Sequence, residues 1–259
     1  DEAMTQQIAT TGNKDISTNV MDLGAFGTEN VISSDLRVPK ILLMQAMSDF
    51  VQEGKAAIGD IVDSFEGKKL GDIKSPLQII PFFMTNTWTI KKEVNGKMEF
   101  EKIEDRGGND VRREYEVIGQ DGIKRTNHRT MNIFCLIKNG NMSVPYMISF
   151  MNSSFGNAAQ PYLNKVQLLK AEKKSPAHIT FNLGVAKEEN EKGKWVSFTL
   201  EAAKGTDGKD IMNSNDEVLA AYTQYKMISG AFAAGQKIDM SDVVANEQAD
   251  QTPTNKAKF

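Results

Sequence analysis

Residues Ala177–Ala202 read AHITFNLGVAKEENEKGKWVSFTLEA, and the alternation in this stretch decides the fold class. Ile179, Phe181, Leu183 and Val185 alternate with His178, Thr180 and Asn182. A period of two sets one row on a core and the other toward water. The charged run Glu188-Glu189-Asn190-Glu191-Lys192-Gly193 then turns the chain, and Val196, Phe198, Leu200 and Ala202 resume the apolar row. The pattern predicts two antiparallel strands. Trp195 falls in phase with Ser197, Thr199 and Glu201, which places a large aromatic on the wet side of the sheet, where it calls for a partner.

Working outward, the same strand signals recur. Leu77–Lys92 (LQIIPFFMTNTWTIKK) is dense in aromatic and β-branched residues and reads as one long strand. In unbroken alternation Ile80, Phe82, Met84, Asn86, Trp88 and Ile90 share a face, which predicts a core position for Trp88. Asn95-Gly96 is a hairpin signal that returns the chain into Met98–Ile103. Thr130–Lys138 and Val144–Met151 form a second predicted hairpin, apolar on most positions and therefore central. Pro39 biases Val38 toward extended geometry and starts a strand, with a helix opening at Pro39 as the alternative. A helix capped by Ser153 or Ser154 runs to about Lys174, with Pro161 expected to kink or restart it. Ser214-Asn215-Asp216-Glu217 is a capping box opening a helix that ends near Gly235 and turns Val218, Ala221, Tyr222, Tyr225, Ile228 and Phe232 inward. These elements predict an α+β fold, mainly antiparallel, of Greek-key or partly open barrel type with two main helices.

Charge divides the chain into three. Residues 1–36 carry six acids and one lysine and lack hydrophobic periodicity, so they read as an acidic, largely flexible leader. Residues 241–259 read as a flexible tail. With a total of −3, the single domain at 37–240 is left at about +3. A body so weakly basic cannot hold nucleic acid by bulk charge and must gather its cations on one surface. Several function classes are disfavoured. No run of apolar residues is long enough to span a membrane. One cysteine, Cys135, permits no disulfide within the chain and suits a reducing cytoplasm. The two histidines, His128 and His178, have no metal-ligand spacing and no sequence-local nucleophile. Gly230–Lys237 imitates a phosphate loop but closes a helix instead of opening one, and Gln236 stands where the lysine belongs. The chain reads as non-enzymatic, with no cofactor.

The remaining chemistry is cations beside flat rings. Five of the six arginines lie between Arg106 and Arg129. They either pair with neighbouring acids such as Asp105, Asp110, Glu114, Glu116 and Asp121, or face a ligand. Trp195 stands beside Lys192 and Lys194, Tyr115 beside Arg112 and Arg113, and Trp88 just before Lys91 and Lys92. With Lys124, Arg125 and Arg129 these form the candidate set for a single-stranded nucleic acid, cations taking phosphates and rings stacking on bases. For each ring the competing reading is burial in the core or under a helix. Lys68-Lys69 reads as ordinary turn charge.

The stretch Val38–Ser64 with Pro76–Phe82, the NIFCLI…PYMISF hairpin leading into Ser153-Ser154-Phe155, and the closing FNLGVAKEENEKGKWVSFTLE hairpin together resemble phage-encoded single-stranded-DNA-binding proteins. The resemblance implies an OB-like barrel that coats single strands during phage replication or recombination in the cytoplasm of the infected host. It also implies an acidic carboxy-terminal tail recruiting phage or host replication proteins. This chain departs there, since Lys256-Ala257-Lys258 precede Phe259 and the acids gather at the amino end. The expected function is thus sequence-tolerant binding of single-stranded DNA. The alternative is a non-enzymatic structural or interaction protein of a phage, and a third reading is a strand-annealing recombinase.

Overall fold

The computed structural model describes residues 38–105, 113–191 and 193–235. The leader, the tail, Arg106, Asp110, Arg112 and Lys192 lie outside the described residues. The spine is β4 (Leu77–Val94), the long strand of the sequence pattern. It runs antiparallel to β7 (Lys124–Ile137) over nearly its whole length, from Ile79 opposite Ile137 to Lys92 opposite Arg125. Asn95 and Gly96 both take positive φ, 52° and 78°, as a tight hairpin requires, and lead into β5 (Lys97–Asp105) beside the far half of β4. β6 (Glu116–Ile118) and β8 (Tyr146–Phe150) share the other side of β7, one at each half. The closing hairpin is β9 (Phe181–Asn190) with β10 (Gly193–Ala202), and β9 joins β4 at Leu77–Ile79. The order across the sheet is therefore β10-β9-β4-β7-β6.

A second, three-stranded antiparallel sheet comes from β1 (Ile41–Leu43), β2 (Ile61–Asp63) and β3 (Lys69–Gly71), separated after β1 by the short α1 (Asp49–Gln52). Extended geometry wins after Pro39, and a parallel bridge from Lys40 to Met147 ties this sheet to β8. Among the described residues β10 pairs only with β9, so the large sheet stays open. The fold is α+β and mainly antiparallel.

Two features depart from simple alternation. Pro81 faces Cys135 and Phe83 faces Phe134, so Phe82 is an extra residue on β4. This bulge flips the pattern. Ile80 joins Leu136 in one cluster, while Met84 packs on the opposite side with Ile133, so the single face expected from Ile80 to Ile90 does not exist. The second departure lies after β8. Asn152–Ser154 (α2) opens a helix, Phe155–Ala159 is a π-helical stretch, and Gln160–Ala171 (α3) resumes α-geometry. Pro161 sits at the start of α3, where its missing N–H and its ring are accommodated by the widened turn before it.

The main core gathers Ile133, Cys135, Phe150, Phe181, Leu183, Phe198 and Leu200 around Tyr162 of α3, whose ring meets Phe181 at 5.2 Å. On the other face of the sheet, α4 (Asn215–Ala233) packs Ile228 and Phe232 against Phe83 and Phe134. Its capping box is formed: Ser214 N–H donates to Glu217 Oε2 at 2.8 Å, and Glu217 N–H donates to Ser214 Oγ at 3.3 Å. Tyr222, expected inward, is exposed and stacks beside Tyr225.

Candidate functional site

The candidate residues meet at the start of the helix that follows β8. Asn152 adopts φ of 50°, and the next residues fill the gap between β7 and the outer edge of β10. The serines expected to cap the helix do something else. Ser153 Oγ accepts from Trp195 Nε1 at 3.0 Å, and Ser154 Oγ accepts from the backbone N–H of Phe198 at 3.0 Å. Asn157 donates to Ser197 Oγ at 2.9 Å and to the carboxylate of Glu188. Ser197 also donates to Glu188, at 3.0 Å. The side of β10 read as wet is thus covered by the helix, Ser197 is buried, and Trp195 is half-buried with its indole N–H bonded.

On the β7 side, the Arg129 guanidinium lies 4.5 Å from the centre of the Phe155 ring. Trp88 is the cross-strand partner of Arg129, and Arg113 lies 5.7 Å from the centre of its ring. Trp88 is 8 % exposed, a core position as the strand pattern predicted. Arg113, Trp88, Arg129, Phe155 and Trp195 therefore follow one another, each touching the next or linked to it by pairing or by Ser153. Sequence reasoning missed Phe155 and Ser153. The only local signal was an aromatic just inside a helix start.

The opposite face of this end of β7 is polar yet buried. His128 Nδ1 donates to Asn152 Oδ1 at 2.7 Å, and its Nε2 accepts from Thr126 Oγ1 at 3.0 Å. Burial, with the charge of Lys91 nearby, holds His128 down at about 4, so the ring is neutral near pH 7. Tyr115 meets this imidazole edge-on at 5.3 Å and is itself 58 % exposed. Ser149, Asn132, Thr85 and Thr87 form a second hydrogen-bonded group, and Thr89 bonds Thr130 at 2.7 Å.

The other candidate cations are mostly engaged by acids. Arg125 is held by Glu101 at 2.8 and 3.0 Å and by Asp121 at 2.8 and 2.9 Å. Its guanidinium holds the Asp121 carboxyl down at about 2 and lowers that of Glu101. Lys124 pairs with Glu116 at 2.7 Å, Arg113 with Glu104 at 2.5 Å and Lys194 with Glu189 at 3.2 Å. Lys102 and then Arg113 lower the Glu104 carboxyl. Lys91 is wholly buried opposite Thr126, so it does not reach a phosphate. Lys92 is half-buried beside Arg125. Among the described arginines of this stretch, Arg125 pairs with Asp121 as one of the two expectations held, Glu101 and Glu104 are acid partners that were not foreseen, and Arg129 lies over Phe155.

The sequence pattern of the family described as Pam3 phage gp34-like protein matches residues 9–231. The chain belongs to this phage protein family. The matched span runs through every strand and into α4, so the whole site described above lies inside the family region. No curated protein and no solved structure matches the chain. Among the described residues of this family member, no helix is long and apolar enough to cross a membrane, and no cluster of His, Cys, Asp or Glu could hold a metal ion.

Proposed function

We propose that the chain binds single-stranded DNA without sequence choice, as a non-catalytic protein of phage replication or recombination acting in the host cytoplasm. The observation that carries this reading is the convergence at the helix start of rings and cations that the sequence scatters over three strands. Arg129 over Phe155 and Trp195 on Ser153 set a cation between two half-buried rings, while Trp88, buried opposite Arg129, backs the site and does not itself stack on a base. Bases stack on such rings for about 1–3 kcal/mol each, and phosphates take the guanidinium groups. Tyr115, more exposed than either tryptophan, packs on His128 on the opposite face of β7 and offers a separate ring there. The ion pair at Lys124 does not prevent this role, because Lys124 and Glu116 are both exposed. Exposed pairs in general contribute about 0–1 kcal/mol, so a phosphate can replace that carboxylate at little cost. The part-buried, bidentate Arg125–Glu101 pair holds its arginine more firmly. The OB-like comparison and the recruitment of phage or host replication proteins through the tails rest on the resemblance and belong to the same proposal.

A second reading, a structural or interaction protein of the phage, is favoured by the neutralised arginines and by apolar side chains exposed on the hairpin of β6. A gel-shift series with single- and double-stranded oligonucleotides across salt separates the two. The first reading expects retardation of single strands that weakens as salt rises, and weaker retardation by the Arg129→Ala variant. No retardation at low salt, or equal preference for duplex, overturns it in favour of the second.

A further inference from the structure

The hairpin of β6 and β7 is the least covered part of the large sheet. Ile118 is 71 % exposed, and Tyr115, Val117 and Ile123 are exposed as well. Val117 and Ile118 point to opposite faces, so neither face of this strand is packed. Among the described residues β6 pairs only with β7. The direction of its backbone groups follows from two bonds. Asn127 N–H donates to the carbonyl of Tyr115 at 2.8 Å, and Gly119 N–H donates to the carbonyl of Ile123 at 3.0 Å. Positions 115, 117 and 119 thus turn their backbone groups toward β7, and Glu116 and Ile118 present theirs outward.

We propose that β6 is a self-association edge, taken by β6 of a second copy of this chain in antiparallel register centred on Val117. This goes beyond single-strand binding and does not depend on it. With Val117 on the two-fold axis, Glu116 of each copy faces Ile118 of the other, and both outward pairs exchange hydrogen bonds. The register is self-complementary in side chains too. On one face Val117 meets Val117, apolar against apolar. On the other, Lys124 lies opposite Ile118 in its own chain, so each row across the seam reads Lys124, Ile118, then Glu116 of the second copy. That row carries one cation and one carboxylate with the apolar Ile118 between them, and no like charges are opposed. The edge is short, well under the area of about 1,200 Å² at which specific interfaces become stable, so the dimer is weak and concentration-dependent. Its axis stands perpendicular to the sheet, so the Arg129 faces of both copies lie on the same side.

Disulfide trapping of the full chain, without nucleic acid, tests this. Residues on the axis form a non-hydrogen-bonded pair with Cα atoms about 4.5 Å apart, within disulfide reach. Under mild oxidation Val117→Cys is expected to give mostly covalent dimer, and Ile118→Cys several-fold less, because position 118 faces 116. Cys135 is buried and does not compete. In sedimentation, the unmodified chain should shift toward dimer as its concentration rises. Ile118→Pro removes an outward N–H without touching the β7 ladder, and Val117→Lys opposes like charges on the axis. Each should leave the melting curve unchanged and hold the chain monomeric. Equal trapping at 117 and 118, or a chain that stays monomeric across the series, overturns the proposal and leaves single-strand binding untouched.

Discussion

The two outer edges of the large sheet are finished in opposite ways. At β10, the Gln45 side chain lies along the strand like a short piece of backbone. Its amide donates to the carbonyl of Val196 at 2.8 Å and its oxygen accepts from the same residue's N–H at 3.3 Å. Two residues on, Ser154 takes the N–H of Phe198. At β6 the outward groups have apolar, uncovered side chains around them. A satisfied edge cannot template another strand, whereas a bare one can. The fold is thus sealed where rings and cations gather, and left open at the hairpin that extends beyond them.

Breaking the sealed edge should have the largest effect. Gln45 is buried, and Gln45→Ala leaves a buried carbonyl and N–H of Val196 without partners, so a loss of about 3 kcal/mol in urea unfolding is expected. Acid should act nearly as strongly at the β7 end nearest β6. The folded chain holds His128 neutral down to about pH 4, whereas in the unfolded chain the imidazole protonates near its ordinary value of 6.5. Stability is therefore full above pH 6.5 and falls as pH drops from there toward 4, by up to about 3 kcal/mol. A His128→Gln variant should flatten that part of the curve. Ser154→Ala removes one acceptor from β10 and should cost about 1–2 kcal/mol. At the open edge Ile118→Lys should change the melting midpoint hardly at all, within about 0.5 kcal/mol. If Gln45→Ala and Ile118→Lys cost the same, the contrast between the edges is wrong.

The sequence carried the local part of this account. Alternation found β9 and β10, and aromatic and β-branched density found β4. An apolar run found the Thr130–Ile137 part of β7 but not Lys124–Arg129. Asn95-Gly96 gave the turn, and Ser214 with Glu217 gave the cap, because each signal lies within a few residues. What escaped depends on distant partners. Gln45 and Val196 are 151 residues apart, and nothing near either announces the bond. Trp195 was read as wet because alternation reports which side of a strand a residue is on, while the cover over that side comes from Asn152–Ala159. Arg125 was visible as a cation beside Asp121, but its bidentate partner Glu101 reaches it from β5, across β4. The bulge at Phe82 inverted the inferred face of half of β4, since one inserted residue is invisible to a period of two.

The most direct test is fluorescence of the Trp88→Phe variant, in which Trp195 is the only tryptophan. Titrated with oligo-dT at low salt, its emission should be quenched to saturation and recover as salt is added, and Arg129→Ala in the same background should weaken the titration several-fold. Unchanged Trp195 emission at low salt, with the variant shown to be folded, would contradict a single-strand-binding surface at the helix start.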